Sequence, residues 1–318
     1  MIMTKKEILQ FLRSNNTEEL FACADQVRQQ YCGDAVHLRG LIEFSNMCAC
    51  DCLYCGLRRT NREEYRYRMP LDEIFSSAQN AASLGYGTVV LQSGDSVGYS
   101  VDDYCRLVER IKKETSCAVT FCIGERSFDE YQALRQAGVD RYLLRFETSD
   151  KPLFQQLKPD SIFEKRLRCL EQLKLLGYQV GSGIMVGLPG QTDEILAEDI
   201  LLMKELELDM IGLGPFIAHH QTPLSGNANG SLELSLKVLA ITRILTKNTH
   251  MPATTAMGTI DPQGRQKALQ CGANVLMPNV TPQQYRQYYK IYPNKICINE
   301  DPSDCQGCVQ GMLHSLGR

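Results

Sequence analysis

Short apolar runs rich in β-branched residues recur along the chain, and segments with apolar residues at three- and four-residue spacing separate them. Such runs are typical of strands buried in a parallel sheet, and the spacing is typical of amphipathic helices. The runs are LRGLIEFS, TVVLQSG, AVTFCIGE, RYLLRFET, QVGSGIMVGLP, MIGLGPF, ATTAMG and NVLMPN. Eight strands that alternate with helices predict an α/β fold, namely a (β/α)8 barrel of the TIM type.

The helical segments show how the chain is organised around these strands. Apolar spacing predicts outer helices over residues 71–84, 101–114 and 162–176. The first residues, MIMTKKEILQFLRS, predict an amphipathic helix. We therefore expect a single domain over residues 1–318 with three parts: a helical preface, a barrel and an irregular extension that bears cysteines. These parts span residues 1–35, 36–285 and 286–318.

The composition narrows the class of protein. A length of 318 residues suits one α/β barrel, and the net charge of -3 with scattered Lys and Arg argues against a nucleic-acid partner. Apolar stretches of about 18 residues are missing, so we expect no membrane association and a cytoplasmic protein. Fourteen cysteines in such a chain indicate metal or redox chemistry rather than disulfides.

Three cysteines follow the first predicted strand in the segment SNMCACDCLYCGLRR. Cys48, Cys52 and Cys55 have the spacing C-x3-C-x2-C, and their thiolates can ligate three irons of a 4Fe-4S cluster. The fourth iron then stays open to the amino and carboxylate groups of S-adenosylmethionine (SAM). An electron passed from such a cluster into the sulfonium would give methionine and a 5′-deoxyadenosyl radical.

Other interpretations of this loop stay open at the level of sequence. Cys50 lies between the three cysteines and permits a zinc knuckle or a cluster with four local ligands. A structural zinc site usually has two separated ligand pairs, and no second pair lies nearby. Tyr54 and Met210 are candidates to cover the adenine of SAM, although both types of side chain also serve as ordinary packing residues.

The fourth predicted strand carries charges at alternate positions. Arg141, Arg145 and Glu147 should share the face that points into the barrel, whereas Phe146 should point into the helical layer. Buried charges are costly unless they pair or meet a charged ligand, so a bound zwitterion or anion would account for them. The alternative is an internal Arg–Glu ion pair that only stabilises the barrel.

Polar residues also mark the second, third and seventh predicted strands. Gln92 and Ser93 end strand two, where they could hydrogen-bond to the amino group of SAM. Thr120 on strand three and Thr254 and Thr255 on strand seven could present hydroxyl groups to a substrate carboxylate. Helix capping and β-branching are the alternative reasons for these residue types.

A second set of cysteines lies near the C-terminus. Cys297, Cys305 and Cys308 have the spacing C-x7-C-x2-C, and three cysteines within twelve residues are unusual in a core. They could hold a second Fe–S cluster, either 2Fe-2S or 4Fe-4S. We expect this cluster to be dispensable for radical generation.

The cysteine triad identifies the chain as a member of the radical SAM superfamily, and several segments narrow the resemblance. IEFSNMCACDCLYCGLRR, TVVLQSGD, DRYLLRFET, MVGLPGQT, PATTAMGT and CGANVLMPN resemble the HydE maturases of FeFe hydrogenases. The resemblance runs from about residue 36 to the C-terminus. It implies a role in assembling the two-iron part of the hydrogenase H-cluster, on an iron–carbonyl–cyanide–cysteine complex made by HydG, with HydF as the scaffold.

The resemblance also implies roles for individual residues and an external electron donor such as a flavodoxin or ferredoxin. HydE proteins have His at the position of Phe146, so a polar role at that position is in doubt. The residues implied to contact SAM are Glu147 and Arg166, and those implied to line the substrate side are Arg141, Arg145, Tyr289 and Tyr292.

Two other functions compete with this one. The first is a radical SAM mutase or sulfur-inserting enzyme that acts on a small organic molecule, as methylornithine synthase and biotin synthase do. The second is a non-catalytic Fe–S scaffold. An open iron beside a lumen lined with Arg and Glu argues against the scaffold, because a carrier needs neither.

Overall fold

Parallel strands form the centre of the molecule, and helices surround them. The computed structural model describes residues 3–95, 98–300 and 302–318. The strands are β1 (His37–Leu38), β2 (Gly40–Ser45), β3 (Thr88–Ser93), β4 (Ala118–Cys122), β5 (Arg141–Leu143), β6 (Gln179–Val186), β7 (Met210–Pro215) and β8 (Val275–Leu276).

The helices lie before, between and after these strands. They are α1 (Lys5–Arg13), α2 (Glu18–Cys32), α3 (Leu71–Ser83), α4 (Val101–Glu114), α5 (Phe128–Gln136), α6 (Lys151–Leu157), α7 (Phe163–Leu175), α8 (Asp193–Glu205), α9 (Leu232–Thr246), α10 (Thr255–Ile260), α11 (Gly264–Gln270), α12 (Gln283–Arg286) and α13 (Pro302–Ser315). None of the helices described is both long enough and apolar enough to cross a bilayer.

The strands close into a ring. Strands β2 to β7 form one parallel sheet in chain order, and β1 pairs with β8. Parallel bridges continue the ring from Met210 to His250, from Pro252 to Val275 and from Asn279 to Leu41. Because each strand runs in the same direction, all the carboxyl ends meet at one end of the barrel. The predicted TIM-type barrel is confirmed.

The seventh barrel position differs from the prediction. The prediction of a strand over residues 253–258 is wrong, because helix α10 occupies most of that run. The chain instead joins the barrel wall at residues 250–252, where His250 pairs with Met210 and Pro252 pairs with Val275 through isolated bridges. Pro252 has no N–H group with which to extend a ladder, so the pairing there stays short. Thr254 then takes the N-cap position of α10, and Thr255 is its first residue.

The predicted outer helices are confirmed to within one residue. Helix α4 spans Val101–Glu114, and a capping box between Ser100 and Asp103 fixes its first turn. Its buried residues are Tyr104, Leu107, Val108 and Ile111, which recur at three- and four-residue spacing. The helical preface is confirmed as α1 and α2, and ion pairs join α1 to helix α8.

The C-terminal extension is not irregular throughout. Residues 302–315 form helix α13, which contradicts the prediction for that part of the extension. Its buried positions are Cys305, Val309 and Met312, a spacing of four and three residues. This apolar stripe lets α13 pack against the barrel, and two of the predicted cluster ligands therefore lie on a helix.

Candidate functional site

A cavity of about 340 Å³ opens at the carboxyl ends of the strands. Both loop residues and strand ends contribute to its wall. The predicted site residues that line it are Tyr54, Cys55, Gln92, Ser93, Thr120, Arg145, Glu147, Met210, Thr254, Thr255, Tyr289 and Tyr292.

The cysteine loop follows strand β2 and borders this cavity. Cys55 lines the cavity directly, and burial raises the pKa of its thiol. The Sγ of Cys48 accepts a hydrogen bond of 3.3 Å from the backbone N–H of Asp95. A hydrogen bond from the Cys50 thiol, together with the nearby ammonium of Lys158, lowers the pKa of Cys52 to about 5. The loop therefore favours thiolate at Cys52, the form that ligates iron.

Polar contacts hold the cysteine loop in one conformation. Arg58 forms an ion pair of 2.8 Å with Asp51, and this contact lowers the pKa of the Asp51 carboxyl. Arg66 donates hydrogen bonds of 2.7 Å and 2.9 Å to the carbonyl oxygens of Asn46 and Leu57. The backbone on both sides of the cysteines is thus fixed by side chains that the motif itself does not include.

Two glycines let neighbouring segments approach the cysteine loop closely. A Cβ at Gly94 would lie 2.4 Å from the carbonyl oxygen of Met47 and 2.7 Å from the Cβ of Cys48. A Cβ at Gly56 would lie 2.1 Å from the carbonyl oxygen of Lys290. These separations are shorter than real contacts, so only glycine permits the observed packing.

An ion pair lies at the end of strand β5. The Nη2 of Arg145 is 3.0 Å from the Oε2 of Glu147, and both residues line the cavity. Glu147 has a φ of 67°, which is unusual for a residue other than glycine. Such strain is typical of functional positions. Phe146 is fully buried in the core and does not line the cavity, as alternation predicted.

Arg166 stands behind this pair rather than in the cavity wall. Its Nε is 2.9 Å from the Oε1 of Glu125, and its Nη1 donates a 3.4 Å hydrogen bond to the carbonyl oxygen of Arg145. Glu125 was not among the predicted site residues, although it is the last residue of the predicted strand AVTFCIGE. Arg166 is therefore placed to support the backbone that presents Arg145.

Arg141 lies elsewhere. Alternation predicted that Arg141 and Arg145 share the cavity, and this is wrong for Arg141. Arg141 begins strand β5, whereas the site lies where the strands end. Its Nε donates a 2.6 Å hydrogen bond to Gln179, and its Nη1 contacts Thr88 at 3.3 Å. Both partners begin their own strands, which places Arg141 at the amino end of the barrel.

Met210 also begins its strand, although it does line the cavity. Its Sδ is 3.0 Å from the Nη1 of Arg39, so it lies at the closed end of the lumen. Phe216 follows the carboxyl end of the same strand and packs in one apolar cluster with Tyr54. Phe216 was not among the predicted site residues, although it shares this cluster with Tyr54.

A second buried ion pair was not predicted. Lys295 and Glu43 form a salt bridge inside the cavity wall, and their side chains are only 4% and 1% exposed. Asn279 donates a 3.0 Å hydrogen bond to the other carboxylate oxygen of Glu43. A glutamate within the apolar run LIEFS was the available signal, because a charge on a buried strand needs a partner.

Several polar atoms in the wall have no hydrogen-bond partner among the residues that the structure describes. The hydroxyl oxygens of Thr120 and Thr254 and the Nε of Arg145 are buried without a hydrogen bond. Gln92 in contrast donates to the hydroxyl of Tyr289 at 3.2 Å, and Ser93 donates to the carbonyl oxygen of Gly94 at 2.7 Å. Buried polar groups are rarely left unsatisfied, so the unpaired atoms indicate where a ligand binds.

The carboxylate of Asp199 ties two loops of the site together. It accepts a 2.6 Å hydrogen bond from the hydroxyl of Ser149, next to the strained Glu147 segment, and one of 3.0 Å from Gln191. Gln191 in turn accepts hydrogen bonds from the backbone of Gly187 and Leu188. The carboxylate is fully buried, and this burial raises its pKa to about 6.

The second set of cysteines lies apart from the first. Cys305 is buried, Cys308 is exposed, and a hydrogen bond joins the thiols of Cys297 and Cys305. Cys297 has a φ of 62°. Across the described ranges, no three His, Cys, Asp or Glu side chains are placed to hold a single metal ion.

Comparison with known proteins identifies the family. The family model of the radical SAM superfamily matches residues 42–203. The [FeFe] hydrogenase maturase subunit HydE of Thermotoga maritima is 50% identical over 313 residues, which are 98% of this chain and 90% of that protein. The chain belongs to the radical SAM superfamily and to its HydE family. The resemblance carried by the triad and its surrounding segments is confirmed.

More distant radical SAM proteins share the fold. The 3-methylornithine synthase of Methanosarcina acetivorans is 27% identical over 273 residues, 85% of this chain and 77% of that protein. A crystal structure of methylornithine synthase matches with a TM-score of 0.86 at 23% identity, over 100% of this chain and 94% of that one. The structure of the FeFe-hydrogenase maturase HydG from Carboxydothermus hydrogenoformans matches with a TM-score of 0.80 at 18% identity, over 98% of this chain and 75% of that one. These structures support the barrel fold.

Membership of the radical SAM superfamily implies a 4Fe-4S cluster and SAM, and the residues present fit both groups. Cys48, Cys52 and Cys55 would hold three irons and leave the fourth open, and the N–H of Asp95 donates to the Cys48 sulfur. The Arg145–Glu147 pair beside that loop offers both charges to a zwitterion. When bound, the cluster supplies the electron that cleaves SAM reductively.

Replacing Gly94 with alanine should disturb the cysteine loop, because the new Cβ would overlap Met47 and Cys48. Overpacking of this kind costs about 1–3 kcal/mol. We expect thermal unfolding at lower temperature and about a twofold loss of iron per chain after anaerobic reconstitution. Gly87→Ala is the matched control, since no described residue beyond its two chain neighbours has an atom within 4 Å of the Cβ it would gain. Equal iron in both variants would contradict this account.

The buried Asp199 predicts a pH effect on stability. Its pKa is higher in the folded protein, so between pH 4 and pH 6 the unfolded chain loses the proton first and the free energy of unfolding falls as pH rises. Asp199→Asn removes this penalty. In cluster-free protein, denaturant unfolding should therefore show the variant gaining roughly 2–3 kcal/mol on wild type from pH 4 to pH 7. A difference that is constant with pH would exclude this effect.

Proposed function

We propose that this chain is a maturase of the HydE type. It generates a 5′-deoxyadenosyl radical from SAM and acts in assembly of the diiron part of the FeFe hydrogenase H-cluster. The observation that carries the proposal is the 50% identity over 98% of the chain to the HydE subunit of T. maritima. Its substrate would be the iron–carbonyl–cyanide–cysteine product of HydG, and its partners HydG and HydF.

The residues at the mouth of the cavity would bind the cluster and SAM. Cys48, Cys52 and Cys55 would ligate three irons. Glu147 would accept hydrogen bonds from the amino group of SAM, and Arg145 beside it would face the carboxylate. The side chains that complete the SAM site would be Tyr54, Gln92, Ser93 and, through the backbone of Arg145, Arg166.

The deeper part of the cavity would hold the substrate. The unpaired hydroxyls of Thr120 and Thr254 suit the carboxylate or cyanide of an anionic complex. Lys295 and Glu43 give this part a buried but balanced pair of charges. Thr255, Tyr289 and Tyr292 would close the wall and exclude water from the reactive carbon. Met210 would belong to this deeper part rather than to the adenine site.

Two further features belong to the proposal. Cys297, Cys305 and Cys308 would hold an auxiliary 2Fe-2S or 4Fe-4S cluster, supported by the hydrogen bond between the thiols of Cys297 and Cys305. The reductant would be a flavodoxin or ferredoxin, which agrees with a cytoplasmic location. A mutase or sulfur-inserting activity on a small organic molecule is less favoured, since the methylornithine synthase relative is only 27% identical.

A cell-free maturation reaction tests the function. With HydF, HydG, SAM and apo-hydrogenase, the wild-type chain should restore hydrogen evolution. Cys52→Ser should lower the rate of hydrogen evolution about a hundredfold, because one iron loses its ligand. Cys50→Ser, a change in the same loop outside the triad, should keep more than about half of the activity.

A wild-type chain that cleaves SAM but leaves the hydrogenase inactive would contradict the maturase function and favour the small-molecule alternative. Equal losses in the Cys50 and Cys52 variants would contradict the assignment of ligands.

Replacing Cys297, Cys305 and Cys308 together with Ser should leave radical generation intact, because these residues lie outside the cavity wall. We expect 5′-deoxyadenosine to form at a rate within about twofold of wild type when dithionite is the reductant. Quantification by liquid chromatography checks this. A loss comparable to that of Cys52→Ser would show that the auxiliary cluster takes part in SAM cleavage.

A further inference from the structure

The turn after helix α6 contacts the cysteine loop on several sides. The carbonyl oxygen of Leu157 accepts a 2.9 Å hydrogen bond from the N–H of Leu53, and Asp160 accepts one of 2.7 Å from the N–H of Asp51. Helix α6 itself is anchored by Asp150 at its N-cap and by three buried apolar residues. The turn is therefore fixed relative to the cysteines, and so is the side chain that it carries between these contacts.

That side chain is Lys158, which is only 7% exposed. Its Nζ lies 3.3 Å from the Sγ of Cys52 and 3.2 Å from the hydroxyl of Tyr54. No carboxylate within the described ranges forms an ion pair with this ammonium. Tyr54 offers this ammonium a hydroxyl group rather than a carboxylate.

A buried ammonium without an anion is strongly destabilising, so its retention requires a counter-ion. Lys295 is equally buried and shows the usual solution, a salt bridge to Glu43. Among the residues that the structure describes, the group in a position to serve for Lys158 is the sulfur of Cys52, together with the cluster that this sulfur would ligate. A thiolate bound to an Fe–S cluster carries the required negative charge, and hydrogen bonds and charges at such sulfurs tune the reduction potential.

We propose that Lys158 is the counter-ion of the Fe–S cluster held by Cys48, Cys52 and Cys55, and that it raises the reduction potential of that cluster. This inference rests on the proposed ligation by the triad but not on the maturase function. One electron from an external one-electron donor adds one negative charge to the cluster, and no proton or bond is exchanged. The fixed positive charge stabilises the reduced form more than the oxidised form.

An electrochemical titration tests this directly. Anaerobically reconstituted proteins, without SAM, are poised with dithionite and mediators, and the reduced cluster is quantified by electron paramagnetic resonance. In Lys158→Met the ratio of reduced to oxidised cluster at the wild-type midpoint should fall about tenfold, which equals a 59 mV lower potential for a one-electron couple. The ratio should fall similarly in Lys158→Gln, which can still donate hydrogen bonds. In Lys158→Arg the ratio should stay within about threefold of wild type.

Lys151→Met is the matched control. It removes the same charge from the first residue of helix α6, at the opposite end from the turn that carries Lys158, but its side chain is 63% exposed and pairs with Glu164. Its ratio should stay within about twofold of wild type, since solvent screens exposed charges. Equal potentials in Lys158→Met and wild type would overturn the proposal, as would equal shifts in the Lys151 and Lys158 variants.

Some variants could fail to assemble the cluster, and iron per chain is therefore measured in each of them. If Lys158→Met and Lys158→Gln lose the iron while Lys158→Arg retains it, the positive charge itself is required, which supports the counter-ion role. If Lys158→Arg loses the iron as well, the lysine serves packing and the proposal fails. A failure of hydrogenase maturation in a protein with the expected potentials would leave this inference standing and affect only the proposed function.

Discussion

The close contact between the cysteine loop and its neighbours is the constraint on which the rest of the site depends. Gly94 brings the end of strand β3 against Met47 and Cys48, and Gly56 brings the loop against Lys290. These approaches place the thiols at the edge of a cavity that the strand ends define. A barrel with the same strands but without these close contacts would hold the thiols farther from Arg145 and Glu147.

Four charged side chains of the cavity wall form two ion pairs. Arg145 pairs with Glu147, and Lys295 pairs with Glu43, so the wall presents local dipoles on side chains that are largely removed from solvent. Such an environment strengthens interactions with a charged ligand and disfavours unpaired charge. Lys158 departs from this pattern because its counter-ion is a sulfur. The same physical rule thus explains both the pairs and the exception.

The sequence was sufficient for features that depend on neighbours along the chain. Helix α4 was predicted to the residue, because its apolar spacing and its capping residues are local signals. The spacing of the triad is a local signal of the same kind. Strand seven was predicted wrongly, since Pro252 restricts pairing in a way that a count of apolar residues does not register. Helix α13 was missed because its apolar stripe is short and interrupted by polar residues.

Pairs that form across the barrel could not be predicted from local patterns. Lys158 and Cys52 are 106 positions apart, and Lys295 and Glu43 are 252 positions apart. Arg141 was grouped with Arg145 by alternation, but strand β5 has only three residues, so the alternation describes little of that segment. Which end of a strand a residue occupies decides its role in a barrel, and this requires the strand boundaries.

The central claim is that the triad supports reductive cleavage of SAM. Its most direct measurement is the amount of 5′-deoxyadenosine formed when the anaerobically reconstituted chain receives dithionite and SAM. The account predicts that this product forms in the wild type and at background level in Cys48→Ser. A wild-type protein with a spectroscopically intact cluster that forms no 5′-deoxyadenosine would contradict it.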